Sequence, residues 1–155
     1  MTALRLLARL GFLAILCLLA SLTAFSQSAK QFQGEWEWAI YAKSRDELPP
    51  AYREARLKEV PNAALYLKLK QRGNKLTGDY SASRRFLARL EEGELDSVVR
   101  GRSVRLELQS GFGGTITVLL TREGNRLHWK VTKAEGEYYF PDDVYLRRIV
   151  RKKRR

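Results

Sequence analysis

The sequence has one cysteine, one histidine and one methionine in 155 residues. A single Cys cannot build a disulfide framework, and one Cys with one His cannot supply the ligands of a zinc cluster. A Cys–His nucleophile is disfavoured for the same reason. Acidic residues are few, 17 against 29 Lys and Arg, which leaves a formal net charge of +12. Hydrophobic residues nevertheless make up 45% of the chain and charged ones 30%. That balance belongs to a folding chain, and the length suits one domain.

Only one long hydrophobic run exists. Residues 10–24 carry no charge and follow Arg5 and Arg9. At 15 residues the run is short for a bilayer span, which needs about 20. Ala24-Phe25-Ser26 then puts Ala and Ser at the −3 and −1 places of a signal-peptidase site. Residues 1–26 therefore read as a cleaved signal peptide, with an uncleaved N-terminal anchor as the alternative. Cys17 follows Ala14-Ile15-Leu16, unlike the small residues that precede a lipidated Cys. The expected location is periplasmic or secreted. Cleavage would leave 129 residues with no Cys, to be held by their core alone. Seven positive charges crowd residues 147–155, so the basicity lies mostly in a tail.

Period-2 alternation dominates the rest, which argues strand. Trp36, Trp38 and Ile40 share one face of the first run, residues 34–41. Leu65, Leu67 and Leu69 share a face of the second; Leu76, Gly78 and Tyr80 of the third. A weaker fourth run covers residues 90–99. Val104, Leu106 and Leu108 follow, then Ile116, Val118 and Leu120, then Leu127 and Trp129, and a last short run covers residues 144–148. Gly-Asn pairs at Gly73-Asn74 and Gly124-Asn125 tolerate the positive φ of tight hairpins. Eight such strands, each apolar on one face, are satisfied by closure into an all-β, antiparallel up-and-down meander barrel. Two packed four-stranded sheets are the competing arrangement.

Two connections break the rhythm. Residues 43–62 hold Leu48-Pro49-Pro50, a charged stretch over 51–59 and Pro61, a pattern that fits one short helix after the first strand. A link of this length is a lid or a packed plug. Residues 81–90, with Phe86, Leu87 and Leu90, read as a helical turn. The domain organisation is a signal peptide over 1–26, a single barrel domain over 27–148 and a basic C-terminal tail over 149–155.

These features resemble the calycin group of eight-stranded barrels: lipocalins, fatty-acid-binding proteins and avidins. Gly34-Glu35-Trp36 is similar to the Gly-x-Trp that opens a lipocalin's first strand. The resemblance implies an Arg across that Trp from the last strand, and Arg148 is the candidate for a structural Trp36–Arg148 pair. Leu76-Thr77-Gly78-Asp79-Tyr80 is similar to the Leu-Thr-Gly-x-Tyr strand of avidins, where Tyr80 would fall on a biotin-contacting Tyr. Ala82 and Trp38 stand where that family keeps polar biotin ligands, so the biotin site is not retained.

The expected role is binding rather than catalysis. Glu35 and Glu37 sit two apart on an outer face, with no burial to separate their pKa values. Asp142-Asp143 after Pro141 reads as a turn, and Ser110-Gly111-Phe112-Gly113-Gly114 lacks the Lys and helix of a phosphate loop. His128 alternates with Leu127 and Trp129 and should face solvent. No catalytic residue, metal ligand or cofactor is expected. Trp38, Tyr80 and Trp129 are the candidate walls of a site for an apolar small molecule, gated by residues 43–62. The alternative is a filled barrel that acts as a cell-envelope interaction module. It would dock to anionic lipid, envelope polysaccharide or a protein partner through Arg151, Lys152, Lys153, Arg154 and Arg155. The tail has no aromatic residue to stack on bases, which disfavours nucleic acid, and a monomer is expected.

Overall fold

The computed structural model describes residues 30–150; residues 1–26, expected to be a signal peptide, and Arg151, Lys152, Lys153, Arg154 and Arg155 lie outside them. Eight antiparallel strands follow one another around a closed barrel. They are β1 (Gly34–Tyr41), β2 (Pro61–Arg72), β3 (Lys75–Arg84), β4 (Arg89–Arg100), β5 (Ser103–Gln109), β6 (Thr115–Glu123), β7 (Arg126–Glu135) and β8 (Asp143–Arg148). Alternation produces this: Leu65, Leu67 and Leu69 of β2 and Val104, Leu106 and Leu108 of β5 are buried, while Lys68, Lys70, Arg105 and Glu107 are exposed. The charged outer face is the reverse of a barrel that meets lipid.

The closure is uneven. β3 pairs over its full length with β2 and with β4, and β6 pairs nearly so with β5 and β7. In contrast β4 meets β5 only at Val99–Val104 and Arg100–Ser103, and β1 meets β8 only at Trp36–Arg148 and Glu37–Arg147. Two four-stranded halves are thus joined along two short seams. The closed barrel is the arrangement that forms, and the two-sheet alternative survives only as the shortness of these two seams.

The long link contains no α-helix. It carries two isolated 3-10 turns, Arg45–Glu47 and Pro50–Tyr52, and its turns close on i to i+3 bonds such as Tyr52 N to Pro49 O (2.8 Å) and Ala55 N to Tyr52 O (3.0 Å). The expected helix fails because residues 51–59 offer only Ala51, Tyr52 and Ala55 at helical spacing, too little apolar surface to stabilise by packing a helix that short. Leu48, Val60 and Ala42 are buried instead and pin the link. The expected helical turn within residues 81–90 is also absent. β3 runs on to Arg84, β4 begins at Arg89, and the turn between them holds Arg85, Phe86 and Leu87 at φ of 54°, 55° and 68°. Ile40, expected inward, is 50% exposed, because the ladder shifts register between Ile40 and Tyr41 and the strand end rises past the core.

Candidate functional site

The barrel has two unlike ends. At the terminal end the chain enters β1 and leaves β8, and the three hairpins β2–β3, β4–β5 and β6–β7 turn tightly. The loop end carries the long link, the β3–β4 and β5–β6 turns and the β7–β8 connection.

At the loop end Tyr80 and Trp129 approach each other through a third ring that sequence reasoning missed. Phe140, from the β7–β8 connection, lies 5.5 Å from Tyr80 and 5.9 Å from Trp129, centroid to centroid. Phe140 and Trp129 are fully buried and Tyr80 is 7% exposed. Trp129 Nε1 donates to Pro141 O (2.9 Å), which ties the connection down over the rings. Across the wall from Tyr80 stands Gly93, where a Cβ would lie 2.7 Å from the phenol Cζ, so a side chain there would displace the ring. Burial, and then the nearby Glu91 carboxylate, push the Tyr80 phenol above its ordinary pKa. Trp38 stands apart from this trio. It is half-buried against the core and borders a hollow of about 360 Å³ at the β1–β8 seam, together with Tyr41 and Tyr145. A larger hollow, about 670 Å³, follows the β4–β5 seam between Val98 and Leu119. Both open outward.

Glu91 is the second residue that sequence reasoning missed. It points inward from β4 and is 2% exposed. Its Oε1 accepts from Ser110 Oγ (2.6 Å) and Tyr139 N (3.1 Å), and its Oε2 from Gly111 N (2.9 Å). One carboxylate therefore fastens the β5–β6 turn and the β7–β8 connection to the barrel mouth. Outside it Arg89 lies 5.6 Å from the Phe112 ring and 5.4 Å from that of Tyr139. The signal was present: counting back by twos from buried Leu95 passes Gly93 and reaches Glu91.

The terminal end is closed by Phe32. Its N–H donates to Gln71 Oε1 (3.1 Å), Gln71 Nε2 donates to Gly73 O (2.9 Å), and Trp36 Nε1 donates to Phe32 O (2.9 Å). The Arg148 guanidinium lies 5.6 Å from the Trp36 ring centroid, so the structure brings together the Trp36–Arg148 pair. It adds a nearer partner, Arg122 of β6, at 4.7 Å. Burial, with Arg148 and Arg102 close by, lowers the pKa of Arg122 from its ordinary value.

The remaining polar candidates are dispersed. His128 lies on the outer wall, half-covered, between Asp143 Oδ1 (2.6 Å) and Glu123 Oε1 (3.3 Å), and stacks on Tyr145 at 4.4 Å. Asp142 accepts from Tyr138 Oη (2.8 Å) and faces Arg84 (4.0 Å). Among the described residues no group of three or more His, Cys, Asp or Glu side chains is placed to hold a metal ion. Comparison with protein-family models, with curated proteins and with solved structures finds no match.

Proposed function

We propose that this chain is an exported, calycin-like barrel that acts as an envelope interaction module, docking to an anionic surface through its terminal end and basic tail. The observation that carries the reading is the packing of the interior. Phe32 and Phe140 plug opposite ends, and Trp36, Trp129 and the inward leucines between them are fully or almost fully buried. Each large side chain so buried stabilises the fold by roughly 1.5–3 kcal/mol, which accounts for the apolar faces without a guest. The charge favours the terminal end: Arg147 and Arg148 end β8 there, and the sequence continues into five consecutive cations. Near a membrane each such charge contributes about 1 kcal/mol and is screened by salt.

The test is co-sedimentation with phosphatidylglycerol and phosphatidylcholine vesicles over a salt series, for the full chain and for a chain ending at Val150. Binding confined to the anionic vesicles, weakened by salt and by the truncation, is the expected result. Equal capture by both lipids, or by neither, sinks the reading.

Carriage of an apolar small molecule is the second reading, favoured by one detail. Phe140 belongs to a connection rather than a strand, so withdrawal of that one side chain would leave a slot walled by Tyr80 and Trp129. Native mass spectrometry of the detergent-free protein distinguishes the two, since a carrier holds an extra mass that leaves on denaturation.

A further inference from the structure

Three guanidiniums meet at the terminal end with no carboxylate paired to them among the described residues. Arg122 N donates to Arg102 O (2.8 Å) and Arg102 Nη2 donates to Arg122 O (2.9 Å), which locks β6 to the β4–β5 hairpin. Arg148 Nη2 donates to Gln33 O (2.8 Å), so this guanidinium is fixed against the entering chain. Arg122 and Arg148 share the Trp36 ring. Among the described residues none of the three is ion-paired with a carboxylate. Glu123, next to Arg122 in sequence, faces the other way toward His128. Arg122 Nη1 is also buried without a hydrogen-bond partner among the described residues.

Buried donors are almost always satisfied, and like charges are rarely gathered without a counter-charge. Arg102 and Arg148 are exposed, and Arg122 lies half-buried with them. The guanidinium fork matches two oxygens of a phosphate group in parallel, a bidentate fit that a spherical halide does not offer. We propose that Arg102, Arg122 and Arg148 form a binding site for a phosphate oxyanion beside the Trp36 ring. The oxyanion rests on the exposed forks of Arg102 and Arg148, neutralises the repulsion felt by Arg122 and brings an acceptor within reach of its side chain. A lipid headgroup and free inorganic phosphate present the same chemistry. Only the choice of the headgroup as the source rests on the docking reading above.

The experiment follows the arginine Nε–Hε and Trp36 indole NMR signals while inorganic phosphate is exchanged for chloride at constant ionic strength. The full chain, the chain ending at Val150, Arg102→Gln and Arg122→Gln are compared. Arg102 is exposed, so Arg102→Gln keeps a test in hand if Arg122→Gln disturbs the packing of Trp36. Saturable shifts at the three arginines are expected in the full and shortened chains. Apparent affinity should fall about tenfold or more when either Arg is replaced, the loss of a charge-assisted bond. Identical shifts with chloride, or shifts that vanish with the tail and persist in Arg102→Gln, overturn the site. Phosphatidylglycerol vesicles supply the second arm. Capture weakened by Arg102→Gln identifies the headgroup as the source. Phosphate binding without vesicle capture supports the site and assigns it to free phosphate, while the docking reading fails. Vesicle capture through the tail, with no phosphate shift at the three arginines, refutes the site and leaves docking intact.

Discussion

Replacing Glu91 with Ala removes the acceptor on which the loop end is assembled. Three donors converge on that carboxylate, from Ser110 Oγ, Gly111 N and Tyr139 N, and the side chain is 2% exposed. A hydrogen bond to a charged group contributes about 1.5–3 kcal/mol, and a buried donor left unmatched costs about 1–3 kcal/mol. The two amide bonds are only partly buried, so water replaces part of the loss at Gly111 and Tyr139. The expected net cost is about 3 kcal/mol, a large share of the stability of a domain this size. Glu91→Gln keeps one carbonyl acceptor and should cost about half as much, or roughly 1.5 kcal/mol. Urea unfolding gives the magnitude, with an unchanged m-value required for the comparison. Amide hydrogen exchange gives the location: Gly111 and Tyr139 should exchange faster in Glu91→Ala while Trp36 at the far end keeps its protection. A Glu91→Ala protein within 0.5 kcal/mol of the parent would refute the reasoning, as would uniform acceleration at both ends.

Leu87 is 46% exposed at φ 68°, and a left-handed backbone costs an L-residue about 1–2 kcal/mol. Leu87→Gly should therefore be more stable than Leu87→Ala by up to about 1 kcal/mol in urea, and a reversed order would show that the turn is unstrained. Phe140→Ala should cost about 3–5 kcal/mol, the transfer of the ring plus the space left between Tyr80 and Trp129. If that space admits guests, the same variant gains affinity for an apolar fluorescent dye that the parent does not bind. The phenols of Tyr80 and Tyr138 both lie above their ordinary pKa of 10.0, the first through burial and Glu91, the second mainly through its bond to Asp142. Because the fold favours their neutral forms, the stability they contribute is complete below about pH 10 and is lost as pH rises through their folded pKa values. An ultraviolet titration should show a phase above the ordinary tyrosine range, with Tyr80→Phe and Tyr138→Phe each removing part of it.

Eight strands were legible because each buries one face, and a buried face leaves a period of two in the residues themselves. What pattern could not carry was anything decided by position along the barrel. Ile40 obeys the alternation of Trp36 and Trp38 and is still exposed, since the register shift after it lies at the rim. Residues 51–59 looked helical from Pro50 and Pro61, yet the link is fastened by Leu48 and Val60, and the small Ala51, Tyr52 and Ala55 stripe is too little to pack a helix. The Trp36–Arg148 pair was legible because first and last strands of a closed meander must be neighbours. Arg122 was not, because β6 reaches Trp36 across the barrel floor rather than along the sheet. Phe140 was missed for a similar reason, in that connections follow no period. Glu91 is different: its place was legible by counting, and its charge argued against reading it as inward. Burial of a carboxylate requires several donors, and those come from two loops whose approach no strand pattern encodes.

The two ends of the barrel differ in how their charges are matched, and that difference bears on function. At the loop end Glu91 meets three donors and Trp129 Nε1 meets a carbonyl. At the terminal end Gln71 is bonded to Phe32 and Gly73. Arg122 Nη1, a few residues from these closures, meets none among the described residues. A chain that satisfies the neutral amide of Gln71 and leaves a guanidinium unmatched nearby has not run short of acceptors in general. Glu123 adjoins Arg122 in sequence and is spent on His128, and Arg84 and Lys75 each have an acidic neighbour. At the loop end Arg89 Nε is likewise buried without a hydrogen-bond partner among the described residues, but Arg89 stands alone over the Phe112 and Tyr139 rings. What sets the terminal end apart is that three guanidiniums gather there and none is paired with a carboxylate among the described residues. Self-repulsion among Arg102, Arg122 and Arg148 opposes folding, so their gathering around Trp36 is accounted for by what the folded state gains from an external anion. On that argument the open valence of this barrel lies outside its wall, at the terminal end, and the aromatic interior serves to hold the guanidiniums in place.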